Sequence, residues 1–191
     1  MPRANYHLER NNPFYQKLRG RVPLQFVMSF LKFSKSGRVQ KILHELKYRN
    51  KPALGHKLGS VFGSELARTG YKDMFDIIVP VPLHRIKKAN RGYNQSEEFG
   101  NGLAEMLEIP CNDDIVQRMS QTSTQTRKSR LGRWENVKDV FALSNVAAVS
   151  GKRVLLVDDV VTTGATLEAV CSVLHSHGSA ELSVACIAAA Q

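Results

Sequence analysis

Two adjacent carboxylates, Asp158 and Asp159, follow an apolar run and lead into a turn of threonine and glycine, in the segment VLLVDDVVTTGATL at residues 154–167. Val154, Leu155, Leu156 and Val157 read as a buried strand, and Leu167, Val170 and Leu174 as the stripe of a helix that Gly178 ends. The turn between them, Thr162, Thr163, Gly164, Ala165 and Thr166, therefore lies at a helix N-terminus, where unpaired amides and the positive end of the macrodipole attract phosphate. Gly164 lets the backbone approach an anion closely, and three hydroxyls add donors, so a phosphate monoester can be held without a lysine in the turn. The dipole contributes only about 0.3–1 kcal/mol at an exposed site, so convergent hydrogen bonds must carry the grip. Carboxylates only accept hydrogen bonds, which suits the two aspartates to a vicinal diol, and they can also hold Mg2+ through its water shell. A strand that merely turned into a capped helix would need one polar residue, and this segment offers five.

The elements that must position these groups follow from periodicity. Asp76 to Val81 (DIIVPV) is a β-branched run closed by Pro82, as expected of a buried parallel strand ending in a tight loop. Residues 22–33 alternate as a strand would, and residues 182–187 form a last strand. Val39, Ile42, Leu43 and Leu46 make one helical stripe, and Leu54, Leu58, Phe62 and Leu66 a second. Asn94 with Glu97 reads as a capping box before the stripe Phe99, Leu103, Met106 and Leu107. Residues 1–20 are polar and aperiodic, which predicts a lead-in (1–21) outside the core, ahead of one domain over 22–191. Strands alternating with helices predict an α/β fold with a mainly parallel sheet, whose ligands lie beyond the carboxyl ends of the strands.

Composition sets the outer bounds. The 191 residues support one medium domain, and 42% hydrophobic with 23% charged residues is ordinary for an ordered soluble protein. Lysine and arginine outnumber the acids by 27 to 17, giving +10, an excess that attracts polyanions, phosphorylated metabolites and nucleic acid alike. It gathers in two tracts read as loops, RIKKANR at 85–91 and RKSRLGR at 127–133. Three cysteines without Cys-x-x-Cys spacing indicate neither a disulfide framework nor a zinc ribbon. With no apolar run near the ~18 residues of a membrane span and no signal-peptide core, the expected setting is the cytoplasm.

The 154–167 segment resembles the signature of type I phosphoribosyltransferases. VPVPLHRIKKANRGYNQ at 79–95, TSTQTRKSRLGRWENVKDVF at 122–141 and LKY at 46–48 are similar to the ComF/GntX-like subgroup of that superfamily, over roughly Val22 to the end of the chain. The resemblance implies a twisted parallel sheet flanked by helices, with a small hood from the N-terminal segment. It implies that Asp158 and Asp159 bind the ribose hydroxyls of 5-phosphoribosyl diphosphate, with Mg2+ nearby, while Thr162, Thr163, Gly164, Ala165 and Thr166 cradle its 5-phosphate. Pro82, Leu83, His84 and Arg85 would be the pyrophosphate loop, with Arg91, Asn94 and Gln95 beside it. Residues 122–133 would be a lid, with Arg118, Gln125 and Arg127 as closing groups, so that Arg85, Arg91 and Arg127 are the expected catalytic cations. Trp134 and Phe141 are expected to anchor the far end of the lid in the core. Members of the subgroup usually begin with a four-cysteine zinc ribbon, which this sequence lacks through truncation or loss. Thr162 stands where the 6-oxopurine enzymes carry an aspartate, which disfavours salvage of hypoxanthine or guanine.

The implied reaction displaces pyrophosphate from C1 of the ribose with an unidentified, usually nitrogenous, acceptor. A second expectation, from another class, is a competence or DNA-uptake accessory that binds single-stranded DNA or DNA-uptake proteins and keeps the site as a metabolite sensor. A third is a catalytically silent regulator. Homo-oligomerisation stays open.

Overall fold

The best strand in the sequence becomes the middle of the sheet. In the computed structural model, which describes residues 1–35, 37–119 and 140–190, β5 (Arg153–Val161) pairs in parallel with β6 (Glu181–Ala190) and with β2 (Ile77–Pro80), and β1 (Val27–Phe33) pairs in parallel with β6. The order β1-β6-β5-β2 leaves β5 and β6 central, and their near-continuous apolar runs are what burial on both faces demands. A short antiparallel ribbon, β3 (Val116–Arg118) with β4 (Phe141–Leu143), stands apart from this sheet.

Helices cover both faces. On one lie α2 (Arg38–Tyr48), α3 (Pro52–Arg68) and α5 (Gln95–Leu107), sharing a core with Leu155 and Val157; on the other lie α1 (Pro13–Leu18) and α6 (Ala165–Ser176), with Val154 and Leu156. The chain thus has the fold class expected, a parallel α/β sheet flanked by helices. α3 and α5 cross so closely that a Cβ on Gly59 would meet the Phe99 carbonyl oxygen at 2.2 Å, and one on Gly102 the His56 carbonyl oxygen at 2.1 Å. Asp76 and Arg153 clip β2 to β5 where both strands begin: the Arg153 amide and guanidinium donate to the Asp76 carboxylate at 2.7–3.3 Å, which holds that carboxyl down at about 2.

Several expectations need correction. Residues 1–20 are not outside the core: Tyr6, Phe14 and Leu18 are buried, and α1 forms within them. Asn12 explains why, since its Oδ1 accepts from the Phe14 and Tyr15 amides while its Nδ2 donates to the Tyr6, Glu9 and Val27 carbonyls, so one buried side chain fastens the segment to the start of β1. β1 begins at Val27 rather than Val22, with Pro23, which has no amide to give a ladder, in the run-in. The 85–91 tract is a helix, α4 (Arg85–Arg91), not a loop; His84 Nδ1 accepts from the Ile86 amide to cap it, and Gly92 at φ +81° closes it. Asn94 does cap α5, but the Glu97 carboxylate turns to Lys88 at 3.4 Å. Phe141 is buried as expected, with the Arg118 guanidinium over its ring at 5.5 Å. Residues 122–133 and Trp134 lie outside the described residues.

Both edges of the sheet are partly covered. The Ala4 amide donates to the Phe30 carbonyl and the Lys32 amide to the Pro2 carbonyl along β1; the Ile78 amide donates to the Pro110 carbonyl and the Asn112 amide to the Ile78 carbonyl along β2. The cysteines are all free thiols. Among the described residues no helix is long and apolar enough to cross a membrane.

Candidate functional site

β5 does not stop before the acids. It runs through Asp158 and Asp159 to Val161, which sets a geometric problem, because consecutive residues on a regular strand point to opposite faces. Here both acids are met by helices of one face. Asp158 Oδ1 accepts from Ser96 Oγ at the start of α5 at 3.1 Å, and Asp159 Oδ2 pairs with Lys47 Nζ near the end of α2 at 2.8 Å. The apolar residues on either side show that the alternation slips at the acids: Leu155 and Val157 belong to the core under α2, α3 and α5, and Val160 packs against that same core, whereas Val161 joins the opposite one.

The acids floor a cleft of about 220 Å³ at the carboxyl end of the sheet. Facing them are Pro82 and Leu83 from the loop after β2, Lys87 and Arg91 from α4, Arg118 from β3, and Thr166 from the first turn of α6. Asn94, Gln95 and Ser96 supply the polar wall at the start of α5. Four side-chain cations, Lys47, Lys87, Arg91 and Arg118, thus surround two carboxylates, which suits a ligand carrying several negative charges and a few hydroxyls. Burial and the Asp159 charge push the Asp158 carboxyl up to about 7, against the opposing pull of the Asp159 amide, Ser96 and Lys47.

The turn after β5 is open. Thr162, Thr163, Ala165 and Thr166 are exposed, and Gly164 is buried at φ +83°, a left-handed conformation that disfavours a side chain. Of the pyrophosphate-loop residues expected from sequence, Pro82, Leu83 and Arg91 line the cleft, while His84 caps α4 and Arg85 is exposed in its first turn. Arg127 lies outside the described residues. Asn94 is buried and has a structural role, its Nδ2 donating to the Val81 carbonyl while its Oδ1 accepts from the Ser96 amide.

The sequence alone assigns no role to two residues of the site, Lys47 and Ser96. Lys47 lies in the LKY triplet noted for its resemblance, and only a contact across α2 and β5 reveals its partner. Beside Lys47 a second cleft opens, with Tyr48, Asn50, Lys87, Asn90 and Arg91; Tyr48 is 69% exposed and the Arg91 guanidinium stands 6.0 Å from its ring centre. This end of α2 thus borders both clefts.

Among the described residues no group of three or more histidine, cysteine or acidic side chains is placed to hold a metal ion. A pair of adjacent carboxylates still fits Mg2+, which keeps most of its water and takes one or two protein carboxylates plus substrate oxygens.

A phosphoribosyl transferase domain model matches residues 93–191, and the chain belongs to that family. Its relatives place it in the ComF-like subgroup. It is 37% identical over 118 residues to competence protein F of Haemophilus influenzae, covering 61% of this chain and 52% of that protein. It is 32% identical over 149 residues to the DNA utilization protein YhgH of Escherichia coli, covering 76% of this chain and 65% of that protein. The chain thus spans between about half and two thirds of the length of these curated relatives. Among solved structures, the glutamine phosphoribosylpyrophosphate amidotransferase of B. subtilis overlays with a TM-score of 0.49 at 23% identity, covering 69% of this chain and 26% of that one.

Proposed function

We propose that this chain is a phosphoribosyltransferase that binds 5-phosphoribosyl diphosphate with Mg2+ and displaces pyrophosphate with a nitrogenous acceptor. The observation that carries the reading is the half-buried acid pair at the carboxyl end of β5, joined directly to an open turn rich in donors and faced by cations. The ribose hydroxyls donate to Asp158 and Asp159, while the amides and hydroxyls of Thr162, Thr163, Gly164, Ala165 and Thr166 take the 5-phosphate. The diphosphate lies over Pro82 and Leu83, with Arg91, Lys87 and Arg118 opposite the acids. As the bond from C1 to the diphosphate oxygen breaks, its electron pair leaves with pyrophosphate, and the acceptor nitrogen forms the new bond to C1 and sheds a proton. Positive charge on the ring is then balanced by the carboxylates and negative charge on the leaving group by the arginines, so positioning and electrostatics carry the catalysis. Asp158 and Asp159 are the residues that would hold Mg2+, through its water shell, and the ion would supply positive charge to the diphosphate.

Release of pyrophosphate from 5-phosphoribosyl diphosphate and Mg2+, measured with a panel of nitrogenous bases, tests this reading. Release that depends on one class of base is the expected result. Tight binding without release by any base turns the reading into that of a metabolite sensor.

A second reading, a role in handling single-stranded DNA, is supported by the names of the relatives and by the exposed Tyr48 ring among Lys47, Lys87 and Arg91. Successive bases stack on such rings while cations track the backbone. Anisotropy with a labelled oligonucleotide should then show affinity falling steeply as salt rises, with Tyr48→Ala weakening binding at every salt concentration. Binding that is absent, or indifferent to salt, removes the second reading.

A further inference from the structure

The turn after β5 is also held from the side of the sheet on which α1 and α6 pack. Lys17 Nζ, at the end of α1, donates to the Thr162 carbonyl at 2.8 Å and to the Ala190 carbonyl at 3.1 Å. Arg21 Nη1 donates to the Thr163 carbonyl at 3.2 Å and meets Glu168 Oε2 at 3.4 Å. Between them the buried Leu18 comes so near the turn that its Cδ2 would lie 2.4 Å from a Cβ placed on Gly164.

These contacts aim the backbone. In a trans peptide the carbonyl and the following amide point in opposite directions, and no cis peptide occurs among the described residues. Holding the Thr162 and Thr163 carbonyls toward Lys17 and Arg21 therefore turns the Thr163 and Gly164 amides the other way. That is the orientation in which they can donate to an anion lying across the turn from α1. The two cations also polarise these peptides, which strengthens their amides as donors, and raise the potential an anion meets there.

We propose that Lys17, Leu18 and Arg21 are positioning residues that hold the 162–166 turn ready for a phosphate monoester. The inference rests on reading that turn as the 5-phosphate cradle. It assigns a function to the N-terminal segment, whose ligand-facing contribution would be made through the loop's backbone.

Titration calorimetry of wild type and of the Lys17→Met, Arg21→Met double variant, each with 5-phosphoribosyl diphosphate, ribose 5-phosphate and pyrophosphate in Mg2+, tests it. The two ligands carrying the monoester should bind on the order of tenfold more weakly to the variant, as expected for lost charge-assisted hydrogen bonds, while pyrophosphate binds as before. Lys17→Arg, which keeps a donor and its charge, should retain most of the affinity. Equal losses for all three ligands, or unchanged affinities, would overturn the inference while leaving the cradle reading in place. Failure of the wild-type protein to bind either monoester would overturn both.

Discussion

Replacing both acids, Asp158→Asn with Asp159→Asn, is expected to weaken 5-phosphoribosyl diphosphate by at least about a hundredfold, because each carboxylate that accepts from a ribose hydroxyl contributes about 1.5–3 kcal/mol. Calorimetry with the same ligand reads this directly, and unchanged affinity would remove the site assignment. Stability should change little, and the direction for Asp158 can be worked out. Its folded carboxyl is raised to about 7, above the ordinary aspartate value, so the folded state holds a proton that the unfolded state has already released. Stability is therefore lost as pH climbs from the ordinary aspartate range to about 7, and Asp158→Asn alone should melt no lower than wild type at neutral pH. The same titration predicts that wild-type affinity rises between about pH 6 and pH 8, as the carboxylate that accepts hydroxyl donors becomes ionised, and that Asp158→Asn flattens the rise. Asp159→Asn is different, since it strands Lys47, whose side chain is 25% exposed and paired to that acid. Its modest cost in melting temperature should be relieved by Lys47→Met.

The largest expected loss of stability comes from the crossing of α3 and α5. Gly102→Ala inserts a methyl where the His56 carbonyl oxygen would stand 2.1 Å away and the Ser60 amide nitrogen 2.7 Å away, and backbone atoms of a packed helix cannot step aside singly. Overpacking of this kind costs about 1–3 kcal/mol and occasionally more, so a fall of roughly 5–10 °C in melting temperature is expected, or failure to accumulate as folded protein. Gly59→Ala, against the Phe99 carbonyl oxygen, should behave alike. Gly151→Ala is the contrast: space around it is open, though its φ of +67° still strains an alanine, so its cost should be about 1 kcal/mol. Equal melting temperatures for Gly102→Ala and wild type would mean that α3 and α5 do not cross as closely as described.

What the sequence made legible was local. Val154 to Val157 announced a central strand because burial on both faces leaves no polar position to interrupt it, and the stripes of α2, α3, α5 and α6 could be counted residue by residue. The place of the acids and the turn at the carboxyl end of β5 was legible because an apolar run, two acids and small turn residues follow one another directly in the chain. The burial of residues 1–20 was hidden, since α1 spans only six residues and the anchor, Asn12, is a polar residue whose partners include Val27, fifteen positions on. The RIKKANR tract has a single large apolar residue, the exposed Ile86, and so no buried stripe to count; its helix rests on a histidine cap and a closing glycine rather than on periodicity. Lys47 and Ser96 meet the acids across long stretches of chain, and no local pattern announces a partner at that distance.

The covered borders of the sheet bear on how copies of this chain can associate. An unprotected border strand is a template on which another chain can extend the hydrogen-bonded ladder, a route to continuous sheets and aggregates. Where residues 2–4 lie along β1 and residues 110–112 along β2, that template is already taken by the chain itself. Ladder extension between neighbouring copies would first have to strip away these short bridged segments, which leaves the helical flanks as the more accessible surface for any self-assembly.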